Sequence, residues 1–371
     1  MGKHILITGG AGFIGSHLAD ELLRAGHAVR VLDNLSSQVH GSDCLRPGYL
    51  DPAVELIVGD VRDSEAVRRS LKGVDAVFHF AAAVGVGQSM YEMAKYASIN
   101  TVGTAVLLEE IARQPAGKII VASSMSIYGE GLYRDVRGGL HEDVERPAAQ
   151  LRAAQWEVRN GTGEALVPVP TPETKKPCLA SVYALSKYDQ ERMCLMFGRA
   201  YGIPAVALRF FNAYGTRQAL SNPYTGVLAI FAARYLNGNA PVIFEDGRQQ
   251  RDFISVHDVV QGCRLALERR EADGLVINIG SGKPRTVRQV AEAMARALGK
   301  NIAPEITGAY RAGDIRHCFA DITLARRVLG YRPRVSLERG LSELAAWLEG
   351  QIAHDRVAEA RAELASRGLT V

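Results

Sequence analysis

The stretch Ile7–Leu23, ITGGAGFIGSHLADELL, decides the fold. A short β-branched run, KHILIT (Lys3–Thr8), leads into it, and a pattern of helical period over Ile14–Ala25 leads out. Gly9, Gly12 and Gly15 stand between the two. In such a turn one glycine allows the tight bend, one lets the backbone approach a pyrophosphate, and one lets the helix pack closely on the strand. The helix N-terminus then faces the phosphates with free N–H groups and the positive end of its dipole. A glycine-rich turn alone is a weak sign. Here it follows a strand and opens a helix, as a dinucleotide site requires.

The second apolar run ends in VLDN, with Asp33 at its end. A carboxylate there can accept both hydroxyls of an adenosine ribose and repels a 2'-phosphate. The next basic residue is Arg46. NAD is therefore expected rather than NADP, against the bland alternative of a glycine turn beside a solvated aspartate.

Working outward, Lys3–Thr8, Ala28–Leu32, Glu55–Val58, Asp75–Phe80 and Lys118–Ala122 read as strands, with Pro204–Phe210 as a later one. Segments of helical period such as Ile14–Ala25 and Val102–Arg113 separate them. This alternation predicts an α/β protein, a doubly wound parallel-sheet Rossmann domain over residues 1–215. A smaller α/β substrate-binding domain is expected mainly over 216–371, partly interleaved with the first. Asp60 in VGDV closes the third strand on the adenine side, and FHFAAAVGVGQS closes the fourth with small residues that let a cofactor lie across the strand ends.

Composition agrees with an ordinary enzyme. Of 371 residues 47% are hydrophobic and 23% charged, and the net charge of +4 comes from 44 basic against 40 acidic side chains. No long basic run stands out, so nucleic acid is not implied. No apolar run reaches the roughly 18 residues needed to span a membrane. KHILITGG follows the initial residues with no signal-peptide layout, and a reducing cytoplasm is expected. The cysteines Cys44, Cys178, Cys194, Cys263 and Cys318 are scattered. No Cys-x-x-Cys or Cys/His cluster occurs, so neither a metal site nor a disulfide framework is expected.

Residues 130–180 break the rhythm. The run VPVPTPETKKP (Val167–Pro177) forbids a helix through its alternate prolines. A structureless loop of this size is expected to be either a lid over the substrate or inert decoration.

SVYALSK (Ser181–Lys187) puts Tyr183 and Lys187 one helical turn apart on one face. Alone, the pair reads as packed tyrosine and solvated lysine. Beside a nicotinamide it reads as a tuned acid/base, because a neighbouring ammonium favours the phenolate. VASSMSIYG (Val121–Gly129) adds Ser124 at the end of the fifth strand, placed to orient a substrate hydroxyl.

With these residues assembled, the sequence resembles the extended short-chain dehydrogenase/reductase family, and within it the nucleotide-sugar 4-epimerases and dehydratases. TGGAGFIGSH, LDN, GDVRD, FHFAA, SSMSIYG, YALSK, LRFFNAYG, RDFISVHDV, NIGSG and GDIRHCFAD occur in the family's order over nearly all of residues 3–330. The resemblance implies catalysis by Ser124, Tyr183 and Lys187. It implies NAD contacts at Gly9, Gly12, Phe13, Ile14, Gly15, Asp33, Asn34, Asp60, Val61, Phe80, Ala81, Ala82 and Asn100, besides Tyr183 and Lys187. It implies nucleotide-sugar contacts at Ser126, Asn212, Arg251, Arg311 and Asp314; guanidinium groups suit the diphosphate.

The family's dehydratases carry an Asp-Glu pair after the catalytic hydroxyl residue, where this chain has Met125 and Ser126. Water loss is therefore not expected, and no extra acid/base pair for epimerisation next to the ketone stands out, with Cys194 and Cys318 the two residues left open. AAAVGVGQSMYE, SMSIYGEG, QALSNPYTGV and the Pro-rich insertion are most similar to the branch acting on dTDP-L-rhamnose. Some members of that branch carry a Cys-x-x-Cys where this chain reads RNGTG (Arg159–Gly163). The expected activity is 4-epimerisation through a 4-keto sugar. A nucleotide-sugar 4-ketoreductase or dehydrogenase, and a non-catalytic NAD sensor, are the competing readings. The family's dimer, a four-helix bundle, would draw on Tyr91–Arg113 and Val182–Tyr201.

Overall fold

Seven short apolar runs line up as one parallel sheet. In space they run Val276–Ile279, Ala205–Phe210, β5 (Ile119–Ser124), β4 (Ala76–His79), β1 (His4–Thr8), β2 (Ala28–Asp33) and β3 (Glu55–Val58). The computed structural model describes residues 2–41, 45–222, 224, 226–311, 314–351 and 355–369. Cys44, and Pro223, Thr225 and Gly313 of the quoted motifs, lie outside them.

The chain starts at the middle of the sheet and winds first one way, to β3, and then the other. β1 is hydrogen-bonded to β2 on one side and β4 on the other, with Thr8 opposite Leu32 and His79. The crevice beyond the carboxyl ends of β1 and β4 is thus the topological switch point, where open α/β sheets bind ligands. Alternation along β1 sends Ile5 and Ile7 to one core and Leu6 to the other. On the first face lie α1 (Phe13–Arg24) and the helix Val256–Glu268; on the second lie the helices Gly103–Arg113 and Val182–Tyr201.

Val276–Ile279 pairs with Ala205–Phe210, so a strand from the later half of the chain completes the sheet. A third core forms where Val227–Leu236, Val287–Ala297 and Leu337–Leu348 meet through Phe231, Tyr235, Met294 and Leu344. Within Tyr91–Arg113 the chain is helical without a break from Met93, with a π-helical turn in the middle: Met93–Tyr96, the turn Ala97–Val102, and Gly103–Arg113.

Residues 130–180 are not structureless. Leu132–Arg134 pairs antiparallel with both Leu140–His141 and Val167–Val169. Tyr133, Val144, Val158 and Leu166 form a small core of their own. The Pro-rich run is not a free lid either. Thr171 is fully buried and bridges to Ala320, the Lys175 ammonium donates to the carbonyl of Tyr128 at 2.7 Å, and a Glu173 carboxylate oxygen accepts from the N–H of Asn278 at 2.8 Å. At RNGTG the Asn160 side-chain oxygen accepts from the Thr162 and Glu164 N–H groups at 3.1 and 2.9 Å, closing the turn by hydrogen bonds. Among the described residues no helix is long and apolar enough to cross a membrane, and no group of three His, Cys, Asp or Glu side chains is arranged to hold a metal ion.

Candidate active site

The glycine turn shows why each glycine is there. Gly9 has φ +69°, and a Cβ on it would lie 2.7 Å from the N of Ala81. A Cβ on Gly15 would lie 2.6 Å from Gly10 Cα and Gly9 O. Both contacts are with backbone, so the fold itself requires these two glycines. Gly12 differs: a Cβ there would meet only Gly9 O, at 3.4 Å. Protein packing does not require a glycine at this position, whereas close approach of a pyrophosphate does. Gly12 is the N-cap of α1, no side chain caps that helix, and its first turn holds no acidic residue. Phe13 and Ile14 pack their side chains on the core, leaving their backbone N–H groups as what they can offer an anion.

Asp33 is buried at the end of β2 and pre-aimed. One oxygen accepts from the N–H of Ala11 at 3.0 Å, the other from that of Leu35 at 2.9 Å, and His40 Nε2 lies 3.8 Å away. Asn34 donates to Asp60 at 3.2 Å. Arg62 grips both Asp60 oxygens at 2.9 and 2.8 Å and, as the largest cause, holds its pKa down to about 2. Val61 packs where a Cβ on Gly103 would be. Phe80 stands edge-on to Phe78 and Phe210, and Ala81 and Ala82 continue the strand end half-buried. Asn100 is fully buried in the π-helical turn. Its oxygen accepts from the N–H of Ala83 at 2.7 Å, and its amide donates to Ala83 O and Ser186 Oγ. It therefore clamps the small-residue strand end in place.

Ser124 lies by the Tyr183 phenol at the end of β5, and Lys187 follows Tyr183 one turn along the same helix. Ser181 caps the helix Val182–Tyr201 by accepting from the N–H of Ala184, and Gly202 ends it in the left-handed conformation. The N–H of Tyr183 also donates to Ser89 Oγ at 3.0 Å, tying the helix start to the short helix Val86–Ser89 after β4. The Ser124 hydroxyl lies near enough to the Tyr183 phenol to favour its charged form, and its Oγ lies 2.8 Å from Ser126 Oγ.

The phenol's acidity departs from the expectation. Burial raises the Tyr183 pKa and outweighs the Ser124 hydrogen bond, which lowers it. The Lys187 ammonium instead donates to the Gln190 carbonyl at 2.5 Å, and burial presses Lys187 itself down to about 7. Gln190, His79, Thr104 and Thr8 thus join the site, unforeseen in the sequence. The His in FHFAA, at a strand end facing the crevice, was the one available signal.

On the far side of the crevice Arg251, Arg311 and Asp314 meet. Arg311 donates to Asp314 at 2.9 Å, an Arg251 nitrogen lies 3.6 Å from the other Asp314 oxygen, and the Arg311 guanidinium lies 4.8 Å above the Phe244 ring. Among the described residues the buried side-chain oxygen of Asn212 has no hydrogen-bond partner, which leaves an acceptor for a ligand. Arg146, also unforeseen, ties the insertion to this cluster. Its guanidinium donates to Asp314 O and a Glu245 carboxylate at 2.7 Å each and to Glu130 at 3.1 Å.

Met125 packs with Tyr128 and Phe211, so an apolar side chain fills the place of the dehydratase acid. Cys194 and Cys318 are buried, and burial pushes both thiols up to about 12, which keeps them protonated and poor as bases.

The chain belongs to the NAD dependent epimerase/dehydratase family, whose model matches residues 5–148 and 161–280. It is 35% identical to the dTDP-L-rhamnose 4-epimerase of Burkholderia thailandensis over 95% of this chain and 96% of that protein. It is 31% identical to a putative UDP-glucose 4-epimerase of Methanocaldococcus jannaschii, covering 93% and 98% of the two chains. Among solved structures, the UDP-glucose 4-epimerase of Thermotoga maritima with UDP-glucose superposes with a TM-score of 0.76 at 34% identity, covering 93% of this chain and 98% of that one. The Thermus thermophilus UDP-glucose 4-epimerase complex with NAD gives 0.75 at 30% identity, covering 94% and 100%.

Proposed function

We propose that this chain is an NAD-dependent nucleotide-sugar 4-epimerase acting on dTDP-L-rhamnose or a related NDP-hexose. What supports the reading is Ser124 beside the Tyr183 phenol at the end of β5, with Lys187 one turn along the same helix and apolar Met125 where an acid would be needed for water loss. Gly12 fits a pyrophosphate and Asp33 a ribose. NAD, when bound, would supply the hydride acceptor and donor for C4. Tyr183 takes the proton of the C4 hydroxyl and gives it back after the 4-keto sugar has turned over. Ser124 orients that oxygen and stabilises its developing charge. Lys187 holds the nicotinamide ribose and adds positive charge beside the phenol. Arg251 and Arg311 bind the diphosphate, and Asn212 and Asp314 accept from the nucleotide, in a substrate-binding part built mainly from residues after 216.

A cytoplasmic homodimer completes the reading. The helices Gly103–Arg113 and Val182–Tyr201 run side by side and, with the turn before the first, leave Val102, Leu185, Met196 and Tyr201 exposed. Such an apolar strip suits a second copy of this surface.

The test is a panel of nucleotide sugars, each incubated with the purified protein and read by proton NMR. The expected result is a C4-inverted product from dTDP-L-rhamnose with no net consumption of NADH. Stoichiometric NADH consumption would instead make the protein a 4-ketoreductase.

A further inference from the structure

We propose that Gln190 is a positioning residue that fixes Lys187 to the cofactor-side end of β4. This rests on the reading of Lys187 as part of the catalytic site.

Gln190 is fully buried three residues after Lys187 on the same helix. Its carbonyl accepts from the Lys187 ammonium at 2.5 Å. Its amide nitrogen lies 3.3 Å from the carbonyl of Ala81, 3.1 Å from Thr104 Oγ1 and 3.0 Å from His79 Nε2. The orientation of the amide is forced. An ammonium can only donate, so it needs the oxygen; the Ala81 carbonyl can only accept, so it needs the NH₂. One side chain therefore spans the catalytic helix and the strand end that carries Ala81.

The far end of the bridge is rigid. His79 is fully buried, with Nδ1 2.8 Å from Thr8 Oγ1 and Nε2 2.8 Å from Thr104 Oγ1. Burial holds its pKa down to about 3, so it stays neutral and serves as a hydrogen-bonding strut. Thr104 Oγ1 donates to Asn100 O at 2.5 Å, which joins the strut to the π-helical turn.

No free carboxylate does this work. From its own helix Lys187 faces Glu191 and Cys194, and from β4 it faces His79. Glu191 is already held by Arg209 at 2.7 Å and by Ser123 at 2.6 Å, and Cys194 is a protonated thiol. The Gln190 oxygen is the neutral acceptor that keeps a buried ammonium both charged and aimed. Without it the charged form is disfavoured further, and the lysine loses its proton at a lower pH.

The experiment measures kcat, KM and retained NAD across pH for Gln190→Met, which keeps volume and removes the acceptor. Gln190→Glu, which offers a charged acceptor, and Lys187→Met are measured beside it. For Gln190→Met the alkaline limb of kcat should move down by about one pH unit, with kcat at pH 8 falling about tenfold. NAD content and sugar KM should stay within about twofold, and Gln190→Glu should move the limb upward. If Gln190→Met does not fold, Gln190→Asn, which keeps the amide but shortens its reach, should show the same downward shift. An unmoved limb in the folded variant, or a loss of kcat uniform across pH, overturns the positioning role. Normal turnover by Lys187→Met would overturn the catalytic reading beneath it, which a normal Gln190→Met alone would not.

Discussion

Tyr183→Phe lowers kcat at least about 10²-fold while fold, bound NAD and sugar affinity stay near those of the parent. The ring is retained, and with it the edge-on contact with Tyr96 at a centroid distance of 6.4 Å. Only the hydroxyl that meets Ser124 is lost. A single hydrogen bond of this kind contributes about 1 kcal/mol to stability, so the melting temperature barely moves. Turnover suffers because the group assigned to exchange the C4 hydroxyl proton is removed. Burial raises the phenol's pKa, so on the proposed mechanism the proton-accepting step depends on positive charge that Lys187 and a bound nicotinamide would bring. Single-turnover and steady-state assays on the purified variant check this. Turnover near that of the parent would return Tyr183 to a packing role.

Arg209→Leu costs about 3–5 kcal/mol of stability, because it strands a buried carboxylate. Glu191 is fully buried and accepts from Arg209 at 2.7 and 2.9 Å and from Ser123 at 2.6 Å. Arg209 also lies 4.7 Å above the Tyr128 ring. The pair connects the catalytic helix to the strand beside β5, directly under Ser123 and Ser124. Urea denaturation of the parent, Arg209→Leu and the double variant with Glu191→Leu separates the terms. The single variant should unfold at distinctly lower urea. The double variant should recover part of the loss, since an apolar pair leaves no charge unpaired. A single variant as stable as the parent would contradict the account of this pair.

The parts legible in the sequence were those encoded locally. β1, the glycine turn and α1 follow from a change of hydrophobic period within some twenty residues, and the limits of Val182–Tyr201 follow from Ser181 and Gly202. The parts that were not legible depend on distant partners. Tyr133 and Leu166 belong to one small core although a long stretch of chain divides them, so the insertion read as loop. Gln190 meets His79 across 111 positions, and a buried glutamine looks like any polar helix residue until its partners are known. The motif around Asn100 says nothing of the Ala83 backbone that this residue clamps. The Tyr183 acidity was misjudged for a related reason. Spacing placed a lysine one turn away, but only the fold shows that burial outweighs it and that the ammonium points to Gln190.

In the proposed reaction the only carbon-bound hydrogen that moves is the one on C4, and it never meets water. Epimerisation of the substrate identified by the nucleotide-sugar panel, run in D₂O and followed by NMR, tests this directly. The account predicts a C4-inverted product with no carbon-bound deuterium and no net change in NADH. Deuterium at C3 or C5 of the product would contradict it, since that hydrogen could arrive only through enolisation beside the ketone by an acid/base pair other than Ser124, Tyr183 and Lys187.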